Sequence, residues 1–143
     1  MYSPDDKIIL APDQSIFDLA SGDFARQVLI ISRSEPEAAV NNRNFLTKVL
    51  SAVQLSLDRD ALFVELPVGQ PVSLVMDVRR KKPQAVLVFG ISAPQLGLHL
   101  HLSPYQPLDF QQMTLLFADA LSDLEQDKEK KGLLWTALKT MFL

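Results

Sequence analysis

Residues 28–36 read VLIISRSEP, an apolar run followed by a short polar turn and a proline. The run Val28–Ile31 is apolar at every position, which is typical of a strand covered on both faces in a parallel sheet flanked by helices. Two further apolar runs of strand length are Ala61–Val64 and Ala85–Phe89. Because polar residues, proline or glycine bound each run, we predict that all three are strands.

A helical pattern lies between the first two of these strands. Its apolar residues recur at the spacing of one helix face and are Phe45, Leu46, Val49, Leu50 and Val53. Pro36 fits the first turn of that helix, where its missing N–H costs no hydrogen bond. Strand, helix and strand in this order predict a right-handed βαβ unit.

The remainder of the chain continues the alternation of strands and helices. Three further segments have the pattern of regular structure, namely the helical Val72–Arg80, the alternating Leu98–Leu102 and the apolar strand candidate Met113–Phe117. An amphipathic helix that Asp127 can cap closes the chain, and Ser122 with Glu125 forms a separate S-x-x-E capping box. We predict an α/β fold with three α/β/α layers around a central, mostly parallel sheet. We expect one domain over residues 1–143, with residues 1–23 as a peripheral amino-terminal segment.

The composition narrows the class of protein. The 143 residues include no cysteine, which excludes disulfides, a thiol nucleophile and thiolate zinc sites. A hydrophobic fraction of 48% rules out wholesale disorder, and a formal net charge of −3 argues against a basic nucleic-acid coat. The chain has no apolar run of transmembrane length and no secretory pattern at its amino end. We therefore expect a cytoplasmic protein without membrane contact.

Two acidic residues follow predicted strands directly. Glu35 follows the first strand and Asp119 follows the Met113–Phe117 run, and ligands of open α/β sheets bind at the carboxyl ends of strands. The alternative for Glu35 is a structural role at a helix N-terminus, where the helix dipole favours negative charge. His99 and His101 share a face of a predicted strand, but no third ligand accompanies them, so we predict no metal site.

The densest positive charge is the run Arg79, Arg80, Lys81 and Lys82. These residues can contact phosphate, or they can form an ordinary solvated helix end. Neither a dinucleotide-binding glycine pattern nor a phosphate-loop or hydrolase motif is present. The terminal helix raises a different possibility, because its large apolar residues either pack into the core or present an exposed apolar edge; they are Trp135, Met141, Phe142 and Leu143.

Four segments carry a resemblance to a known family. They are Leu29–Pro36, Asn44–Leu55, the K-P-x-x-apolar-G strand Lys82–Gly90, and Phe117–Leu124 followed by the W-x-x-L helix Leu134–Leu138. In order and spacing they resemble the uracil-DNA glycosylase superfold and, within it, the psi subunits of bacterial DNA polymerase III, a family that lacks glycosylase chemistry. The resemblance extends from about Gln27 to Phe142.

The resemblance implies an abandoned catalytic pocket. Glycosylases of this fold read the base with an acidic residue or asparagine after the first strand, a position that Glu35 matches. They complete the site with a histidine after the last strand, where this chain has Ala120, and without it the departing base loses its electrostatic partner. The remnant pocket would comprise Ser34, Glu35, Gly90, Asp119 and Ala120, with no catalytic residue and no cofactor.

The resemblance also implies a non-catalytic adaptor in the clamp-loader assembly of the replicative polymerase. The partner of such a protein is another protein, possibly a replication accessory subunit, and Ile8–Leu10 or Ile16–Phe17 are candidate anchors in the amino-terminal segment. Two alternatives stay open at this point. One is a divergent DNA glycosylase or nucleotide-processing enzyme that uses Glu35, and the other is a nucleic-acid-binding module that uses Arg79–Lys82.

Overall fold

The structure, a computed structural model, describes residues 20–67, 81–99 and 103–143. Within these ranges the strands are β1 (Val28–Arg33), β2 (Ala61–Leu66), β3 (Ala85–Phe89), β4 (Leu108–Phe110) and β5 (Met113–Ala118). The α-helices of the same ranges are α1 (Ala39–Ala52), α2 (Leu57–Asp60), α3 (Leu121–Glu125) and α4 (Lys128–Phe142). Short 3-10 helices span Pro36–Ala38 and Pro94–Leu96.

The strands form one mixed, mostly parallel sheet in the order β2-β1-β3-β5-β4. β1 pairs in parallel with both β2 and β3, and β3 pairs in parallel with β5, while β4 runs antiparallel to β5. Ile30 lies between Phe63 on one side and Leu87 on the other. The four strands predicted from apolar runs are therefore confirmed, as is the parallel β1-α1-β2 unit.

One face of the sheet packs against α1, α3 and α4. Ile30 and Leu87 from the sheet meet Leu46 and Leu50 from α1 and Leu138 from α4, and all five side chains are fully buried. Burying a leucine or isoleucine side chain of this kind contributes roughly 1.5–3 kcal/mol to stability. This face holds the apolar stripe that the sequence predicted for α1.

The opposite face of the sheet is covered as well. Leu29 and Val86 point to this side and pack with Leu96 of the second 3-10 helix and with Phe24, which precedes β1. Because both faces are covered, β1 and β3 are apolar at nearly every position. The described residues thus form an α/β fold with a mostly parallel sheet flanked by helices.

The two edges of the sheet are treated differently. At the β2 edge, the backbones of Ser21 and Phe63 exchange hydrogen bonds of 3.0 and 2.9 Å in an isolated antiparallel bridge. Gly22 has φ +119°, and a Cβ there would lie 2.1 Å from the carbonyl oxygen of Ala61, so only glycine fits this approach. The other edge is the three-residue β4.

The helix termini test the predicted caps. Asp127 caps α4 as predicted, because its carboxylate accepts a hydrogen bond of 3.1 Å from the Lys130 backbone N–H. The predicted Ser122–Glu125 capping box is wrong, since α3 begins at Leu121 with Ala120 as its N-cap residue. Pro36 lies in the 3-10 turn that leads into α1, in agreement with the prediction.

Several predictions fall outside the described residues. They are the Val72–Arg80 helix and the anchors Ile8–Leu10 and Ile16–Phe17. Of the predicted strand Leu98–Leu102, the structure describes Leu98 and His99, and neither belongs to a strand. No helix in the described ranges is long and apolar enough to cross a membrane.

Candidate functional site

The carboxyl ends of β1 and β3 mark the point where the chain order of the sheet reverses. The chain passes from β1 to β2 on one side of the sheet and then crosses to β3 on the other side. Ligands of open α/β sheets bind in the crevice at such a point. Ser34 and Glu35 follow β1, and Gly90 follows β3. Three of the predicted pocket residues therefore lie at the expected position, which we name the strand-end crevice.

The carboxylate of Glu35 is engaged on both oxygens by residues of this chain. Oε2 accepts hydrogen bonds from the Ser122 hydroxyl at 2.5 Å and from Arg33 Nη2 at 3.2 Å. Oε1 accepts from Asn42 Nδ2 at 3.0 Å and from the Ser122 backbone N–H at 3.4 Å. Glu35 thus joins the turn after β1 to α1 and to the first turn of α3. A carboxylate in this position also complements the positive end of a helix.

The surroundings of Glu35 keep it ionised. Burial alone would raise its pKa, but the hydrogen bonds from Ser122, Arg33 and Asn42 outweigh that effect and hold the pKa below its ordinary value. A general acid at neutral pH needs the opposite shift, so that the group still carries a proton. The environment of Glu35 therefore favours a permanent anion that binds its neighbours.

Asn42 is the most deeply buried partner of this carboxylate. It lies on α1 with 2% of its surface exposed, and its amide nitrogen points to Glu35. The Asn42 Oδ1 atom is buried and has no hydrogen-bond partner among the described residues. Because an unpaired buried oxygen is costly, the bond to Glu35 must favour this orientation enough to outweigh that cost.

Gly90 and Ala120 meet directly across the strand-end crevice. Gly90 has φ +73°, and a Cβ at this position would lie 2.9 Å from the Cβ of Ala120 and 3.2 Å from the Cβ of Arg33. The Gly90 N–H also donates to the Ala118 carbonyl at 3.0 Å. Ala120 is 3% exposed. The backbone after β3 thus packs against Ala120, two residues after β5, and leaves no space for a side chain at position 90.

Asp119 has partners of its own. The Tyr105 hydroxyl donates to Asp119 Oδ2 at 2.5 Å, and Lys130 Nζ lies 3.2 Å from the same oxygen. The hydrogen bond from Tyr105, together with Lys130, holds the pKa of Asp119 below its usual value although burial opposes the shift. Burial and the same hydrogen bond raise the pKa of Tyr105 to about 12. Asp119 therefore ties the loop before β4 to α4.

The predicted pocket residues thus lie at the carboxyl ends of the strands. The carboxylates among them are bound by side chains of neighbouring elements of the same chain. Ser34, Glu35, Gly90 and Ala120 lie around the strand-end crevice, whereas the Asp119 carboxylate is engaged with Tyr105 and Lys130. Ser122, Asn42 and Tyr105 were not predicted as partners of these carboxylates. The one available signal in the sequence is a serine in the first turn of a helix, and that signal predicts a local cap.

The described part of the basic run lies at the opposite end of the sheet. Lys81 and Lys82 are exposed and precede β3, while Arg79 and Arg80 fall outside the described residues. Lys82 lines a cavity of about 430 Å³ together with Gln27, Pro83, Gln84, Gln111, Gln112 and Met113. Four of these residues, Gln27, Lys82, Gln111 and Gln112, have positive φ angles between 49° and 67°. His99 is exposed, and His101 lies outside the described ranges.

A second depression, which we name the helix groove, lies between α1 and α4. It has a volume of about 520 Å³. Its apolar lining residues are Phe45, Val49, Ala52, Leu134 and Trp135. Its polar lining residues are Asn41, Asn44, Lys48, Glu125 and Lys131. The helix groove therefore combines an apolar floor with a polar rim that carries two lysines and one glutamate.

The apolar residues of the carboxyl-terminal helix α4 divide into buried and exposed side chains. Leu134, Ala137 and Leu138 are buried, and Phe142 packs partly against the core. In contrast, 37% of Trp135, 48% of Leu133 and 62% of Leu143 are exposed. The helix thus packs one stripe into the core and also presents large apolar side chains to solvent.

Comparisons with known proteins add no family to this description. No family model matches the chain. No curated protein matches it either.

In the described ranges, no group of three or more histidine, aspartate or glutamate side chains is arranged to hold a metal ion.

Proposed function

We propose that this protein is a non-catalytic protein-interaction adaptor. Its partner would be a subunit of the clamp-loader assembly of the replicative polymerase, as the resemblance to the psi subunits implies. The proposal includes the finer fold that goes with that family, a three-layer α/β/α domain like that of uracil-DNA glycosylases, and a cytoplasmic location.

The observation that carries the proposal is the state of Glu35. Hydrogen bonds from Ser122, Arg33 and Asn42 occupy both carboxylate oxygens, at distances from 2.5 to 3.4 Å. A catalytic carboxylate needs a free oxygen that faces the reacting group. Here the carboxylate links three elements of the fold, which supports a structural role at the position where glycosylases read the base.

Packing at Gly90 and Ala120 supports the same conclusion. A Cβ at Gly90 would lie 2.9 Å from the Ala120 side chain, so the two backbones already approach as closely as their side chains allow. Position 120, where the glycosylase resemblance would place a histidine, holds an alanine that is 3% exposed. The crevice is built around small residues at both positions.

The exposed apolar surface supports a protein partner. Trp135 and Leu133 lie on α4 and Leu143 follows its last residue, and the three side chains are 37%, 48% and 62% exposed. Tryptophan in particular is enriched at the centres of protein interfaces. The net charge of −3 also favours a protein partner over a nucleic acid.

A base-release assay separates the adaptor from the enzyme alternative. The protein is incubated with single-stranded and double-stranded DNA that contains uracil, and abasic sites are revealed by alkaline cleavage. We expect no abasic sites. Cleavage by the wild type that disappears in Glu35→Gln would overturn the proposal and establish a glycosylase.

An assembly experiment tests the partner. The full chain is mixed with the purified clamp-loader subunits of its native host, and complexes are measured by size-exclusion chromatography with light scattering. We expect a stable complex that contains the protein. Failure of every subunit to bind would remove the adaptor function in replication.

The nucleic-acid alternative rests on the exposed Lys81 and Lys82 beside a cavity lined by glutamines. It predicts DNA binding that weakens with added salt and with Lys81→Glu and Lys82→Glu together. Fluorescence anisotropy with labelled oligonucleotides at low salt measures this binding. No binding at low salt excludes the alternative.

A further inference from the structure

We propose that the helix groove is the docking site for an acidic, amphipathic segment of a partner protein, with Trp135 as its central apolar contact. The inference rests on the proposed adaptor function and adds the surface that docks the partner and the chemistry of the docked segment.

The shape of the helix groove suits a row of apolar side chains. Phe45, Val49 and Ala52 recur at helical spacing along α1, and Leu134 and Trp135 come from α4. The volume of about 520 Å³ lies within the range of sites that take a compact apolar ligand. An amphipathic segment can lay its apolar face into such a groove and leave its polar face in water.

Trp135 is the strongest apolar feature of the groove. Its neighbour Leu134 is 1% exposed and belongs to the core, whereas Trp135 is 37% exposed and lines the groove wall. A large aromatic ring held on a rigid helix loses little conformational entropy when a partner covers it. Trp135 is therefore placed to contribute more to binding a partner than to folding the domain.

The charge around the groove selects an acidic partner. Lys48 on α1 and Lys131 on α4 line it, and Glu125 is the one acidic residue among the described residues of its lining. The amine of Lys139 lies 5.5 Å from the centre of the Trp135 ring, which adds a third cation beside the apolar contact. The described lining carries two lysines against one glutamate on a chain whose net charge is −3, so the groove has an excess of positive charge on an acidic protein. Carboxylates on both sides of an apolar anchor would complement it and would accelerate association.

The single tryptophan of the chain makes the test direct, because all tryptophan emission comes from Trp135. Random peptides displayed on phage are selected on the immobilised full-length protein, and synthetic copies of the enriched peptides are titrated while the emission is recorded. We expect enrichment of peptides with large apolar residues flanked by aspartate or glutamate, and a shift of the emission to shorter wavelength on binding. The proposal would be overturned by enriched peptides that are not acidic, by enriched peptides that leave the emission unchanged, or by an absence of enrichment.

Matched variants assign the binding to the groove. We expect Trp135→Ala to weaken the selected peptides about 30-fold, as for a central interface residue. Lys48→Glu with Lys131→Glu should weaken them about tenfold. Lys128→Glu is the control, because Lys128 is also exposed on α4 but does not line the groove, and it should change affinity by less than about twofold. Equal losses in the control and in the groove variants would contradict the assignment.

Two further outcomes separate this inference from the proposed function. If the wild type assembles with clamp-loader subunits and the Trp135→Ala variant assembles equally well, the groove is not the docking site although the adaptor function stands. If the wild type does not assemble with any subunit, the result contradicts the proposed adaptor function itself. Quenching of the tryptophan emission by acrylamide tests self-occupancy, and strong protection in the free full-length protein would show that the chain fills its own groove.

Discussion

The strand-end crevice and the helix groove use their side chains in opposite ways. At the carboxyl ends of the strands, Glu35 in the crevice and Asp119 beside it both have folded-state pKa values below the ordinary ones, because neighbours in the same chain bind their carboxylates. In the groove, a tryptophan and two lysines line a depression and are exposed to solvent. The crevice lies where active sites of α/β folds lie, whereas the groove exposes apolar and cationic side chains that a partner can cover. Position in an α/β fold therefore indicates function only when the side chains there are not already bound by residues of the same chain.

The largest expected effect comes from filling the crevice. Gly90→Ala places a Cβ 2.9 Å from that of Ala120 and 3.0 Å from its Cα, at a φ of +73°. We expect a loss of about 3 kcal/mol from the free energy of unfolding, because overpacking and left-handed strain combine. Urea unfolding followed by circular dichroism measures the loss.

Gly132 provides the control for that substitution. It lies within α4, and a Cβ there would meet no described atom within 4 Å. Gly132→Ala should stabilise the protein by about 0.8 kcal/mol through helix propensity alone. If both glycines tolerate alanine equally, the crevice is not closed by the contact with Ala120.

The next effect tests whether Glu35 holds three elements together. Glu35→Ala leaves the amide of the buried Asn42 and the hydroxyl of Ser122 without their acceptor. We expect a loss of about 2 kcal/mol in the free energy of unfolding. Glu37→Ala, an exposed glutamate in the adjacent turn, is the control and should change stability by less than about 0.5 kcal/mol. Equal effects at both positions would show that the network carries no stability.

Acidification removes part of the same contribution. Because the folded pKa of Glu35 lies below its unfolded value of 4.5, its stabilisation is complete well above pH 4.5 and is lost as the pH falls through the folded pKa. Asp119 acts in the same direction from its unfolded value of 3.8. We therefore expect thermal denaturation midpoints to fall between about pH 6 and about pH 3, and to fall less in Glu35→Gln. An identical pH dependence in the variant would assign the loss to other carboxylates.

The smallest expected effect is in the helix groove. Trp135→Ala should lower the free energy of unfolding by less than about 1 kcal/mol, since the ring is 37% exposed and lies outside the core. Leu134→Ala, at the adjacent position with 1% exposure, should cost about 3 kcal/mol. Differential scanning calorimetry compares the two. A cost at Trp135 as large as that at Leu134 would make the groove a part of the core and would erase the contrast between the two regions.

The sequence predicted the strands that the core requires. Val28–Ile31 and Ala85–Phe89 are apolar on both faces because both faces are covered, and this pattern is readable without a structure. β4 escaped prediction because it is three residues long. The hairpin that joins it to β5 turns through Gln111 and Gln112, both with positive φ, where the usual signal is asparagine followed by glycine.

The candidate site was predictable in position but not in its contacts. Glu35 and Asp119 follow strands, so their place at the carboxyl edge could be inferred from the apolar runs before them. The partner Ser122 is separated from Glu35 by 87 positions in the chain, and Tyr105 from Asp119 by 14. Such pairs depend on how α3 and the loop before β4 pack against the sheet, and no short sequence pattern predicts that packing. The short-range interpretation of Ser122 as a cap failed for this reason.

The bridge between Ser21 and Phe63 also limits how two chains can associate. Open sheet edges are templates on which a strand of another molecule can add, and this is a common route to aggregation. In the part of the chain that the structure describes, Ser21 occupies the N–H and the carbonyl of Phe63 within the β2 edge, and the other edge offers the three residues of β4. Extension of this sheet by a foreign strand therefore has little backbone to build on. Recognition of other molecules is left to side chains, whose identity, unlike that of the peptide backbone, distinguishes one partner from another.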